Sequence, residues 1–478
     1  MTNIQKYGGK WTFLEQNKEY SGELHINMDT QIIALELLIP ATDYDPMPRP
    51  PYKGKIPYIS GELFSGAKIV LYGCRTGKQY SRVMSYTQQV IFADFAFWGL
   101  KIDLKEELVF SKAVFNFGNI IEWSGLCNYN WNHTNNSSNL EWHKKEDAIL
   151  EMNENLKIKF CARQGNIGIT NVYDNEIIVK QNILVEFSYA TSVPWEKILE
   201  DVLSIQYFIG LGVNQKVEIY KTQYYHDQIF YEFSSENGFD TKTHVAADVN
   251  LGLGNKNITQ SKKKYDCLYT LDDAIRIGCF EKWKKNYLNL KPVLDLYFSV
   301  LSDTIQTSEM VFLNLVQALE TFHARFITDN IREYKSRVDK SIKTFYGTDE
   351  HPNAKYWKNV LLDKRQEKHN SIYLRSRLAD LIFADGVLPF IGRESSLETY
   401  IQKLVDTRNY YTHYDIKKQK NAFSKNELIK INGHLLSLIE FHLLVLIGFD
   451  SSEIRQKTIE KINNIDTYYH IHEGTHII

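Results

Sequence analysis

An α+β organisation, with a β-rich, sandwich-like N-terminal region followed by an antiparallel helical bundle, is predicted by three observations. Before about residue 270, apolar and aromatic residues come in short runs broken by Gly, Asn and Asp. From Leu271 onward they recur at helical three- and four-residue spacing. Six of the ten prolines crowd between Pro40 and Pro57, where they separate two groups of strands.

Strands are read from residues 10–15, 20–27 and 31–38 before the prolines and from 67–73, 88–97 and 107–117 after them, all rich in β-branched and aromatic side chains. This texture suits a sandwich or a barrel. The proline-rich stretch 40–57 reads as an extended loop, and the polar stretch 131–147 as a second break. Another strand set follows at 156–162, 176–190, 215–221 and 228–233, interrupted by a helix over 194–212 with Pro194 at its first position. Residues 234–265 read as loop. The expected organisation is a β-rich lobe over 1–140, a second over 141–270 with one inserted helix, and a bundle over 271–478. Within the bundle, the apolar spacing predicts helices at 308–327, 372–383, 395–414 and 425–449. Ser395 or Ser396 is placed to cap the third, with Glu398 close enough for a capping box.

Composition narrows the functional classes. With 43% hydrophobic and 24% charged residues, disordered, fibrous and coiled-coil chains are excluded. A net charge of −2 provides no chain-wide positive field, so any nucleic-acid contact has to be local. Five widely spaced cysteines without a C-x-x-C pair argue against a disulfide framework and a zinc ribbon. The N-terminus lacks a signal-peptide layout, and the apolar stretch 435–449 is broken by Glu440 and His442, so a cytoplasmic protein without membrane contact is expected.

The candidate chemistry lies in the third bundle helix, at Arg408-Asn409-Tyr410-Tyr411-Thr412-His413. At about 100° per residue, Leu397, Ile401 and Leu404 fall within roughly 40° of Arg408, which sets a guanidinium on the apolar stripe. A cation there needs an acid or an anionic ligand. His413 lies about 140° further round, so one copy of the helix forms an incomplete site. Two copies about a two-fold axis would gather both arginines and both histidines over one cleft. Arginine holds phosphate oxygens and histidine moves protons near neutral pH, which suffices to cleave RNA through its own 2′-hydroxyl without metal or cofactor.

The RNYYTH motif on the penultimate long helix, with FLNLVQALETFHARF on the first, resembles the HEPN superfamily. The β-rich half followed by QALETFHARF is similar to the ApeA-like antiphage proteins. The resemblance implies a homodimeric ribonuclease of abortive infection, joined through the bundle, with tRNA as target and a phage-derived trigger sensed by the N-terminal half. It implies catalytic roles for Arg408 and His413, an assisting role for Asn409, and a supporting place in the cleft for Glu320 and His323. The rival is a non-catalytic, ligand- or partner-binding β-sandwich with a helical dimerisation module. Arg365 and His369 are one residue closer than the motif and sit among polar neighbours, so they read as a solvated face. His470, His472 and His476 read as a chain terminus rather than a metal site, and Asn250–Gly254 as a loop rather than a dinucleotide turn.

Overall fold

A computed structural model describes residues 4–13, 19–27, 30, 32–42, 54–82, 85–100, 108–118, 120–134, 137–171, 176–234, 240–251, 263–302, 305–347, 351–362, 366–383, 397–414 and 416–473. The chain forms two compact units, one of residues 1–213 with 217–272, the other of residues 214–216 with 273–478.

The first unit contains β1 (Ile4–Phe13), β2 (Glu19–Asn27), β3 (Ile33–Pro40), β4 (Lys55–Leu63), β5 (Lys68–Arg82), β6 (Tyr86–Ala93), β7 (Phe95–Trp98) and β8 (Val109–Phe117). After a short helix α1 (Ile121–Ser124) come β9 (Tyr129–Thr134), β10 (Ser137–Trp142), β11 (Ala148–Glu151), β12 (Leu156–Asn171) and β13 (Glu176–Pro194). Helix α2 (Trp195–Val213), β14 (Ile219–Ser234) and β15 (Asp240–Leu251) complete it.

Strands β5-β4-β1-β2-β3-β6 pair in that order, and β6 pairs back onto β5, so six antiparallel strands close into a barrel. Its strands alternate buried and outward residues, and Trp11, Leu24, Leu35, Ile59, Leu71 and Ile91 fill the inside with no exposure. The 15-residue β5 serves two partners along one edge, Ile69–Tyr72 pairing with β7 and Arg75–Arg82 with β6. Gly73 marks the change. Its φ of +68° lies in the left-handed region, and a Cβ there would come within 2.5 Å of the Asp94 carboxylate. Beyond β7 the sheet continues as β15-β14-β8-β13-β12-β11, with α2 packed against β13 and β8. β8, from before residue 140, lies between β13 and β14, from after it, so strands on both sides of that point share one sheet.

Several boundaries differ from the sequence reading. The polar stretch 131–147 carries most of the β9–β10 hairpin, and the expected loop 234–265 holds β15. Residues 219–221 of the first segment and all of 228–233 belong to one long strand, β14, with a register shift between Tyr225 and Phe230, and 215–218 precede it. Pro194 ends β13, and the helix begins one residue later. Most of the proline-rich stretch 40–57 lies outside the described residues, but Lys55–Pro57 begin β4. None of the five cysteines forms a disulfide.

The second unit is helical: α3 (Leu271–Ile277), α4 (Cys279–Val300), α5 (Ser308–Phe322), α6 (Ile331–Tyr346), α7 (Pro352–Leu361), α8 (Gln366–His369), α9 (Leu374–Phe383), α10 (Leu397–His413), α11 (Ile416–Gln419), α12 (Lys425–Leu446) and α13 (Ser451–Glu473). The sequence reading is met in kind here: a β-rich region precedes a helical one. Helix α12 has the length and apolarity to cross a bilayer, yet 72% of its apolar window is buried inside this unit against neighbours that include α5 and α13. It is the core of the bundle. The first predicted helix, 308–327, changes character at its end, where His323–Ile327 form a π-helical turn.

Candidate active site

Helix α10 buries Leu397, Ile401 and Leu404 completely, as the apolar stripe requires. The capping residues Ser395 and Ser396 lie outside the described residues, and Glu398 accepts from Arg375 Nη2 at 2.6 Å. The far end of α10 is fixed by two neighbours of Arg408. Thr407, fully buried, donates to Lys403 O at 2.6 Å and accepts from the Phe423 N–H at 2.9 Å. Asp406, 4% exposed, accepts from Lys418 Nζ at 2.8 Å and from Asn421 Nδ2 at 3.5 Å. Lys403 reaches Glu427, which closes a capping box with Ser424 at the start of α12. These bonds pin the chain after α10 to its last turns and so set the rotation of the helix.

Arg408 is half-buried, and its guanidinium Nη1 donates to Asn409 Oδ1 over a long 3.4 Å. Among the described residues no carboxylate pairs with it. His413 ends the helix, exposed, and likewise has no ionic or hydrogen-bonding partner there. On a continuous helix the two lie about 7.5 Å apart along the axis and about 140° apart around it. A single chain therefore presents a cation and an imidazole that do not meet. Around His413, the rings of Tyr410 and Tyr411 stand 4.8 Å apart, and those of Tyr410 and Tyr414 6.0 Å apart.

The two supporting candidates are on α5 and in the π-helical turn that follows it. Glu320 is half-buried on α5, and no ion pair joins it to Arg408. His323, at the start of the π turn, is fully buried in a polar cluster that residue spacing alone did not disclose. Its Nε2 lies 2.9 Å from Asp380 Oδ2 and its Nδ1 3.2 Å from Arg377 Nη1. Arginine can only donate, so Nδ1 accepts and Nε2 carries the proton given to Asp380. Burial lowers the pKa of His323 despite the pull of Asp380, in keeping with a neutral ring. Arg337 also binds Asp380, and Arg377 also binds Asp329. This arrangement ties α5, α6 and α9 together; its histidine is closed to solvent. Arg365 lies outside the described residues, as does His476. No group of three metal-binding side chains occurs among the described residues.

The family model described as ApeA N-terminal domain 1 matches residues 6–283, and that described as Apea-like HEPN matches residues 313–453. No curated protein and no solved structure matches the chain. The first match alone spans more than half of the chain, and the second encloses the helix that carries Arg408 and His413. With its β-rich unit, helical unit and motif helix thus accounted for, the chain belongs to the ApeA-like HEPN antiphage proteins, whose HEPN domain is an effector of the nuclease type.

Proposed function

We propose that the protein is a metal-independent endoribonuclease that cuts tRNA or other single-stranded RNA loops during abortive infection, at a composite site formed by two copies of α10. The observation that carries this reading is Arg408: a guanidinium half-buried on a core-facing helix side, with no acid to neutralise it among the described residues. Holding a cation there without a partner is costly, and a phosphate would remove the cost.

The chemistry follows from the residue types. One His413 takes the proton from a ribose 2′-hydroxyl as its oxygen attacks the adjoining phosphorus. The other His413 gives a proton to the 5′-oxygen as the P–O5′ bond breaks, leaving a 2′,3′-cyclic phosphate and a 5′-hydroxyl. Arg408 binds the non-bridging oxygens as charge grows on them, and Asn409 orients the guanidinium through its carbonyl oxygen. DNA lacks the nucleophile and resists. The β-rich unit, on this reading, senses a phage-derived trigger, and the active form is a homodimer joined through the bundle.

Substitution tests the scheme. His413→Ala is expected to slow RNA cleavage about 10²–10⁴-fold, and Arg408→Ala about 10²–10³-fold. Both variants should keep the native circular dichroism spectrum, and chelator should leave the native rate unchanged. RNA turnover at the native rate in either folded variant removes the nuclease reading and leaves a binding protein with a dimerisation module.

A further inference from the structure

The last turn of α10 contains a feature that packing does not explain. Three non-glycine residues among those described have positive φ, and two of them, Asn214 and Asn370, are asparagines, which tolerate it. The third is Tyr414, with φ of +51°. It stands just past the helix end, where glycine is the usual occupant, and its N–H donates to Tyr410 O at 2.5 Å. A bulky residue in this conformation is normally held by burial of its side chain. Tyr414 is instead 69% exposed, next in sequence to His413.

Its surroundings favour a flat, anionic guest. Tyr410 contacts both Tyr411 and Tyr414, so three rings form one aromatic cluster with Tyr414 outermost. The segment 415–425 holds four lysines against one acid, Asp415. Lys418 and Lys425 are engaged by Asp406 and Glu309, whereas exposed Lys420 forms no ion pair with any described residue.

We propose that Tyr414, backed by Tyr410 and Tyr411, is a stacking platform for an unpaired RNA base beside the scissile phosphate, with Lys420 binding a neighbouring phosphate. This rests on the ribonuclease reading of the same helix and extends it to substrate choice. A base within a duplex offers no free face, so the platform selects single-stranded or looped RNA.

The test measures binding apart from cleavage, using a fluorescent single-stranded RNA with 2′-O-methyl riboses and a duplex of the same sequence. Tyr414→Gly removes the ring and also relieves the left-handed backbone, so its melting temperature should be no lower than native. Its affinity for the single strand should fall about tenfold or more, and Tyr414→Phe should recover most of what Tyr414→Gly and Tyr414→Ala lose. Native-like binding by Tyr414→Gly, or equal native binding of strand and duplex, overturns the proposal. So does loss of binding only in step with loss of self-association by light scattering, which makes the ring a subunit contact. Should His413→Ala still cleave while Tyr414→Gly binds poorly, the catalytic assignment falls and the platform stands.

Discussion

Buried histidines give the helical unit a pH dependence that belongs to single side chains. Burial pulls the His442 pKa from 6.5 down to about 4, against the opposing bond from its Nε2–H to Leu381 O at 3.0 Å. His323 and His434 are lowered too, again through burial, with Asp380 and Asp466 opposing. The His442 ring stays neutral when folded but takes up a proton when unfolded below about pH 6.5, and the lowered His323 and His434 act in the same direction. Unfolding thus binds protons in that range, and stability is lost as pH falls from 6.5 toward 4. Asp380 adds a loss at lower pH: although burial opposes it, bonds from His323 and Arg337 hold its carboxyl below the usual value of 3.8. The melting temperature should fall steadily below pH 6.5, and His442→Gln, which can still donate to Leu381 O, should flatten the slope. An unaltered slope in that variant would assign the acid sensitivity elsewhere.

Among the elements, β5 carries the sharpest constraint. Gly73→Ala forces a Cβ onto the Asp94 carboxylate at a φ of +68°, and should destabilise the first unit by about 1–3 kcal/mol. A denaturant midpoint equal to native would show that the barrel can change partners without this glycine. The elements also show where sequence pattern was informative. Short runs rich in β-branched and aromatic residues revealed β2 and β3, each with one face in an apolar core, while the run 88–97 covers two strands, β6 and β7. Strand β15 and the β9–β10 hairpin escaped because DTKTHVAADVNL, YNWNHT and SSNLEW carry too many polar residues to register as apolar runs. β15 is held between β14 and β7, the latter far back along the chain, whereas β9 and β10 pair with each other across a two-residue connection. In α10 the apolar stripe and the motif were both legible. The roles of Asp406 and Thr407 were not, since an acid and a hydroxyl at these positions gain meaning only when Lys418 and Phe423 return to meet them.

For the whole molecule, the proposed scheme makes activity a property of a pair of subunits, since Arg408 and His413 lie about 140° apart on one helix. Mixing Arg408→Ala and His413→Ala chains under conditions of subunit exchange should restore cleavage above that of either variant but below native, because a mixed dimer regains one guanidinium and keeps one of the two imidazoles that the scheme uses. Recovery should follow the mixed fraction and vanish at dilutions where light scattering shows monomers. Failure of the mixture to recover, with exchange verified, would count against a cleft in which one guanidinium and one imidazole from different subunits suffice.

The strand order has a consequence for how the chain is made. Every partner in the barrel lies between Ile4 and Ala93, so the ring can close as soon as that stretch has left the ribosome. β8, with Phe110 and Phe115, then has to wait for β13 and β14, and β7 for β15. During translation, a finished cylinder trails a greasy ribbon whose mates are still unmade, and that interval is when a nascent polypeptide of this design most needs a chaperone.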